Sequence, residues 1–191
     1  MISSFVKLTA AAMLCGVSFS ASAFDNSRQG FFFSVGGGVH GISAENNSGF
    51  GTDQSESAGG FATSFKIGGG ISEQFSLYYI RNASWFKSQV DSSSSYTVLA
   101  GISGIGGSYY LQPSSPSAYV MGAIGIGDYD APFATNIDLE VGGALLFGAG
   151  YEFSRHKMLE ASMLFVDTSD DSNIDERSFN SLQLTFNYMW Y

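Results

Sequence analysis

The chain has 191 residues, a formal net charge of −9, 15% aromatic and 13% charged residues, 24 glycines and a single cysteine. That length suits one domain, the acidic balance speaks against nucleic-acid binding, and one cysteine rules out a disulfide framework or a cysteine-based metal site. The chain is apolar for a secreted soluble domain, yet nothing after Phe24 approaches the roughly 18 uninterrupted apolar residues of a membrane helix.

The first segment reads as a leader. Lys7 gives a positive start, residues 8–17 are apolar, and Ala21-Ser22-Ala23 has the small-x-small form of a cleavage site. Residues 1–23 are therefore expected to be removed, leaving residues 24–191 as the mature chain. The apolar run is too short for a membrane anchor. A lipoprotein use of Cys15 fails because bulky Leu14 stands where a small residue should precede it. Removal of Lys7 with the leader takes the charge from −9 to −10.

From there the chain alternates between period-two stretches and polar connections. Residues 30–39 place Phe31, Phe33, Val35 and Val39 on one face and Ser34, Gly36, Gly38 and His40 on the other. Residues 42–59 read as a long polar loop. Residues 60–71 form a second strand, with Phe61, Thr63, Phe65, Ile67 and Ile71 outward and Ala62, Ser64, Lys66, Gly68 and Gly70 inward. After a tight turn at 72–74, a third strand over 75–85 sends Leu77 and Tyr79 outward. A serine-rich loop (87–95) precedes a fourth strand (96–111), and a turn over 112–117 with Pro113 and Pro116 precedes a fifth (118–127). The facing of these two strands stays open at this point.

A loop over 128–138 leads to the sixth strand (139–153), with Val141, Leu145, Phe147, Tyr151 and Phe153 outward and Glu140, Ala144, Leu146 and Glu152 inward. A turn at 154–157 gives the seventh (158–166), with Leu159, Ala161, Met163 and Phe165 outward and Glu160 and Ser162 inward. An acidic loop (167–177) precedes the closing stretch. There Leu182, Leu184, Phe186, Tyr188 and Trp190 alternate with Ser181, Gln183, Thr185 and Asn187, while Tyr191 falls on the other face. About ten residues of strict alternation, ending in aromatics, is the length and form of a transmembrane β-strand.

This pattern predicts an all-β fold, an eight-stranded antiparallel up-and-down transmembrane β-barrel over residues 24–191. Alternating long and short connections are the asymmetry of barrels with short periplasmic turns and long outer loops, and an even strand number puts both termini on the periplasmic side. Closure removes the sheet edges that lipid does not tolerate. A ten-stranded reading stays open if residues 96–111 or the first loop hide a further hairpin.

The closing strand, the Gly150-Tyr151-Glu152-Phe153 before a turn and the loop asymmetry resemble the small bacterial outer-membrane barrels of the OmpX and OmpA-barrel type. The resemblance covers residues 24–191 and marks an architecture. It implies location in the outer membrane after export, contact with outer-membrane lipid and lipopolysaccharide, and a monomer. It also implies delivery by the barrel assembly machinery, with Phe186, Tyr188, Trp190 and Tyr191 carrying the C-terminal assembly signal.

Candidate chemistry is sparse. An eight-stranded interior is just wide enough for side chains to fill, and Lys66, Glu140, Glu152 and Glu160 all face inward in this register. They form a candidate lumenal charge network, in which Lys66 compensates carboxylates poorly reached by water; a proton or ion path is the functional alternative. The glycine runs (Gly36 to Gly38, Gly68 to Gly70, Gly104 with Gly106 and Gly107) lack the Lys-Ser or Lys-Thr of a phosphate-cradling loop. They are read as room for curvature and for large lumenal neighbours. A serine hydrolase needs Ser, His and an acid together. Neither His156, in a turn, nor His40, with Ser43 on the opposite face, offers that, so the chain reads as non-enzymatic. The acidic run Asp167, Asp170, Asp171, Asp175 and Glu176, with Asp128, Asp130 and Asp138, lacks the glycine and final glutamate of an EF-hand. It is read as solvated charge, with a weak shared divalent ion as the minor alternative. No cofactor is implied. A structural or surface-interaction protein with a filled lumen is the leading expectation, a narrow passage for small or apolar solutes the second, and a lipid-modifying hydrolase the third.

Overall fold

The computed structural model describes residues 27–48, 54–91, 94–130, 140–169 and 175–191, with side chains over 27–43, 57–87, 97–130, 141–168 and 178–191. The expected leader therefore lies outside the described residues, as do Asp138, Asp170 and Asp171 and the side chains of Glu140, Asp175 and Glu176.

Eight strands run in chain order: β1 (Gly30–Ser48), β2 (Gln54–Gly70), β3 (Phe75–Asp91), β4 (Ser94–Tyr110), β5 (Ser117–Asp130), β6 (Glu140–Ser154), β7 (Lys157–Ser169) and β8 (Asp175–Trp190). Each pairs antiparallel with the next, and β8 pairs with β1 to close the barrel. The eight-stranded reading holds, and no added hairpin interrupts β1 or β4.

The register fixes the barrel's geometry. Starting at Trp190 and following directly paired residues once around, through Phe33, Ile67, Tyr79, Ile105, Ile124, Leu145 and Phe165, the row returns to β8 at Asn180. The row has climbed ten residues, from 190 to 180. With about 3.3 Å per residue and about 4.8 Å between strands, that shear tilts the strands by about 40°.

The outer ends of the strands differ from the sequence expectation. Residues 42–59, 87–95, 128–138 and 167–177 were expected as loops, but β1 continues to Ser48 against β2 from Gln54, and β3 continues to Asp91 against β4 from Ser94. Likewise β5 reaches Asp130, β7 reaches Ser169 and β8 starts at Asp175. These extensions are rich in serine, asparagine, glycine and acids. Backbone pairing holds them, while the oily alternation that reveals a strand in sequence is needed only where one face meets lipid.

Alternation decides what faces where. Val39, Ile105, Ile124 and Leu182 stand 61–69% exposed on the outside. Phe33 stacks on Trp190 (4.4 Å), Trp190 lies against Tyr188 (4.5 Å) and Phe147 stacks on Phe165 (5.5 Å), all on the outer wall. Such a continuous apolar band far exceeds what a water-facing surface carries. No described helix is long and apolar enough to cross a membrane. The facing of β4 and β5 is settled too: Val98, Ala100, Ile102, Tyr119, Met121 and Ala123 are buried in the lumen, and Tyr109, Ile105, Val120 and Ile124 point out.

Candidate functional site

The lumen is the only place where charged and polar side chains are gathered away from solvent among the described residues. Lys66, the inward member of β2 between outward Phe65 and Ile67, is 2% exposed. Its Nζ lies 2.5 Å from Glu160 Oε2 on β7 and 5.4 Å from the centre of the Tyr78 ring. Tyr119, from β5, donates its hydroxyl to the same Glu160 oxygen at 2.8 Å.

Glu152 has a different cation. Sequence reasoning put Lys66 between Glu152 and Glu160, but Arg28, just before β1, takes Glu152. Arg28 donates from Nη2 at 2.5 Å and from Nε at 2.8 Å to Glu152 Oε2. Its Nη1 donates to the carbonyls of Glu73 (3.1 Å) and Gln112 (3.0 Å), on the two turns after β2 and β4. The guanidinium also lies 4.2 Å from the centre of the Tyr110 ring. Tyr191 donates its hydroxyl to the other Glu152 oxygen at 2.6 Å. Burial, then that hydrogen bond, holds the Tyr191 phenol well above its ordinary range. Tyr191 is thus an inward side chain at the periplasmic mouth, while Phe186, Tyr188 and Trp190 face outward.

Arg28, Tyr119 and Tyr191 escaped the sequence reading of the lumen. The available signal was charge balance: with two inward carboxylates on adjoining strands, one lysine is too few, and Arg28, Arg155 and Lys157 all stand beside strand ends at the short-turn end of the barrel, so the sequence called for a second cation without choosing which. The place of Glu140 is known by backbone alone: it opens β6 opposite Tyr129, at the outer end and far along the strand from Glu152.

Above these pairs the lumen has two unlike walls. The β8, β1, β2 and β3 side carries Asn187, Thr185, Gln183, Ser181, Ser34, His40, Ser64, Asn82 and Ser84, all 6% exposed or less. The opposite side carries Ile102, Ala123, Leu146, Leu164 and Val166. Gln183 donates to Ser84 (2.9 Å), which bonds Ser181 (2.8 Å). Toward the outer end, Ile42, Phe86 and Val98 close the space with Tyr129, which stacks on Phe179 at 4.8 Å. Glycine makes room where a ring must lie against the wall. A Cβ on Gly150 would overlap the Tyr119 ring, and one on Gly106 would crowd Tyr78.

Other candidates separate in space. His40 Nε2 donates to the Trp85 carbonyl at 3.0 Å and the ring meets Phe86 edge-on, while Ser43 lies on the outer face, so they form no catalytic pair. His156, in the β6–β7 turn at φ 70, packs against Tyr191 and engages the Met189 carbonyl. Asp128 is not loop charge. It faces outward on β5, where Arg81 Nη1 and Nη2 donate to its two oxygens at 2.6 and 2.7 Å.

No protein-family model matches the chain, and no curated protein matches it in sequence. Solved structures do. The attachment invasion locus protein Ail of Yersinia pestis is 8% identical with a TM-score of 0.52, the match covering 83% of this chain and 99% of Ail. Neisserial surface protein A is 16% identical with a TM-score of 0.51, over 82% of this chain and 96% of that one. At these identities the likeness speaks for the fold. With its apolar outer band, closed register and short turns at one end, the chain has the fold of the small eight-stranded bacterial outer-membrane β-barrels.

Proposed function

We propose that the protein is a non-enzymatic outer-membrane barrel with a closed lumen, whose role is structural or lies in surface interaction through its outer end. The observation that carries this is the filling of the lumen. Two charge pairs and their tyrosines occupy its periplasmic half, and Arg28 ties two turns together across the mouth. An ion crossing here would have to break pairs held in low dielectric, each of which is costly to break. The wall of polar residues on β8, β1, β2 and β3 favours a second reading, a narrow polar passage.

Planar-bilayer recording separates them. The closed-lumen reading expects no unitary conductance above the bare bilayer from the refolded barrel; stable channel steps would decide for the passage. The reading includes removal of residues 1–23 on export, lipid and lipopolysaccharide as surroundings, a monomeric barrel, and recognition of the closing strand through Phe186, Tyr188, Trp190 and Tyr191 by the assembly machinery. N-terminal sequencing of protein from the outer-membrane fraction checks the first point, with Phe24 expected as the first residue.

A further inference from the structure

One slanted row crosses the polar wall. Asn187 on β8 pairs with Gly36 on β1, Gly36 with Ser64 on β2, and Ser64 with Asn82 on β3. Directly paired residues hold their Cβ atoms about 5 Å apart, so hydrogen-bonding groups on one row share a small volume. Gly36 has no side chain, and the Asn187 Oδ1 lies over it, in the space a Cβ would fill.

The side chains of Ser64, Asn82 and Asn187 on this row are buried, and each carries at least one hydrogen-bonding atom without a protein partner, although Asn187 Nδ2 donates to Thr185 Oγ1 at 2.9 Å. Asn82 is 0% exposed, and both its amide oxygen and nitrogen lack a hydrogen bond among the described residues. Ser64 Oγ and Asn187 Oδ1 lack one too. One row below, Ser34 pairs with Lys66, and its Oγ and the Oε1 of Glu160 are equally unpartnered. By contrast Gln183, a neighbour on the same wall, is served by Ser84 and Ser162. A buried polar group left without a hydrogen bond is costly, and such clusters are where ordered internal water is found.

We propose that this row is a binding site for enclosed water molecules, held by Asn82, Ser64 and Asn187 above the Lys66–Glu160 pair. The chemistry selects a small neutral ligand with both donors and acceptors. Asn82 offers a donor and an acceptor, Asn187 Oδ1 and Glu160 Oε1 accept, and the serines do either. A metal cation is disfavoured because the Lys66 ammonium already sits on Glu160. The site is closed below by the charge pairs and above by the Ile42, Phe86, Val98, Tyr129 and Phe179 cluster, so its water exchanges slowly with the bulk. This rests on the closed-lumen reading.

The test is water-to-protein cross-relaxation by NMR on isotope-labelled barrel refolded in lipid nanodiscs, with the solvent water as probe. Long-lived water contacts are expected at the side-chain amide protons of Asn82, and not at those of Gln183, which serves as internal control. Ser64→Ala, a small change that removes a hydroxyl and adds no bulk, is expected to weaken the Asn82 contact markedly while the amide fingerprint stays folded. Absence of any water contact at Asn82 in a non-conducting barrel overturns the site and leaves the closed lumen standing. An unchanged contact in Ser64→Ala overturns the shared row. Water contact spread equally over Gln183 with fast exchange, together with channel steps in bilayers, overturns the enclosed site and the closed-lumen reading at once.

Discussion

Lys66 stands where its neighbours force it. Phe65 and Ile67 face lipid, so the ammonium can go only inward, and Glu160 on β7 meets it there. Removing one member of a buried pair leaves the other charge uncompensated, which typically costs about 3–5 kcal/mol, whereas removing both costs far less. Lys66→Met is therefore predicted to lower the unfolding midpoint more than Lys66→Met combined with Glu160→Gln. A urea double-mutant cycle on the refolded barrel measures this, and strict additivity would mean that the two groups do not interact. The coupling should survive high salt, because lumenal charges are poorly screened. Gly150 gives a second prediction at this scale. A Cβ there collides with the Tyr119 ring, and Tyr119 is itself held by Glu160. Gly150→Ala is expected to destabilise by about 1–3 kcal/mol through overpacking, and the loss should largely vanish in a Tyr119→Ala background.

A strand in this wall has one lipid face and one lumenal face, and β8 states the rule most plainly. Leu182, Leu184 and Phe186 are exposed outward, while Gln183 and Thr185 are 1% exposed inside. At about 2.5 Å of height per residue on a tilted strand, Leu184 sits about 15 Å above Trp190, near the middle of a band about 25 Å tall. Phe147 reaches similar depth through the row Phe147, Met163, Leu182. Leu184→Arg and Phe147→Arg are predicted to destabilise by about 2–4 kcal/mol each, read from unfolding in lipid vesicles. Thr185→Arg tests the other face. It enters a crowded lumen beside Asn187, so its penalty should be steric and should appear equally in detergent and in lipid. If the outward variants fold like the parent while Thr185→Arg alone fails in lipid only, the assignment of faces is inverted.

Closure makes the whole molecule one cooperative object. All eight strands are paired on both sides, so no edge frays independently. The folded barrel is predicted to resist detergent at room temperature and to run faster on electrophoresis than the boiled chain; recovery as a folded soluble monomer in the periplasmic fraction would sink the architecture. At this scale Arg28 is the piece that joins parts, since it reaches Glu152 on β6 and two separate turns. Arg28→Ala leaves Glu152 and Tyr191 without their cation, and the periplasmic mouth without its bar. The expected outcome is loss of stability together with the appearance of brief channel openings in planar bilayers that the parent barrel lacks.

Some of this was written in the chain itself. The alternation in β2, β6, β7 and β8 placed Lys66, Glu152 and Glu160 inside and Leu184 and Phe147 outside, because a two-residue period and a lipid boundary leave a strand no other choice. The strand count followed from turn residues at 72–74, 112–117 and 154–157. The facing of β4 and β5 was hidden because both of their faces are apolar or glycine: Ile102 and Ala123 inside are as oily as Ile105 and Ile124 outside. The outer strand extensions were hidden because backbone pairing in water needs no oily face. Above all, the partners across the lumen were not legible. Which cation meets which carboxylate depends on the shear that carries a row up ten residues per circuit, and on an arginine that precedes the first strand and folds back into the mouth. Alternation is a local property that each strand declares alone, whereas shear and closure belong to the eight strands together.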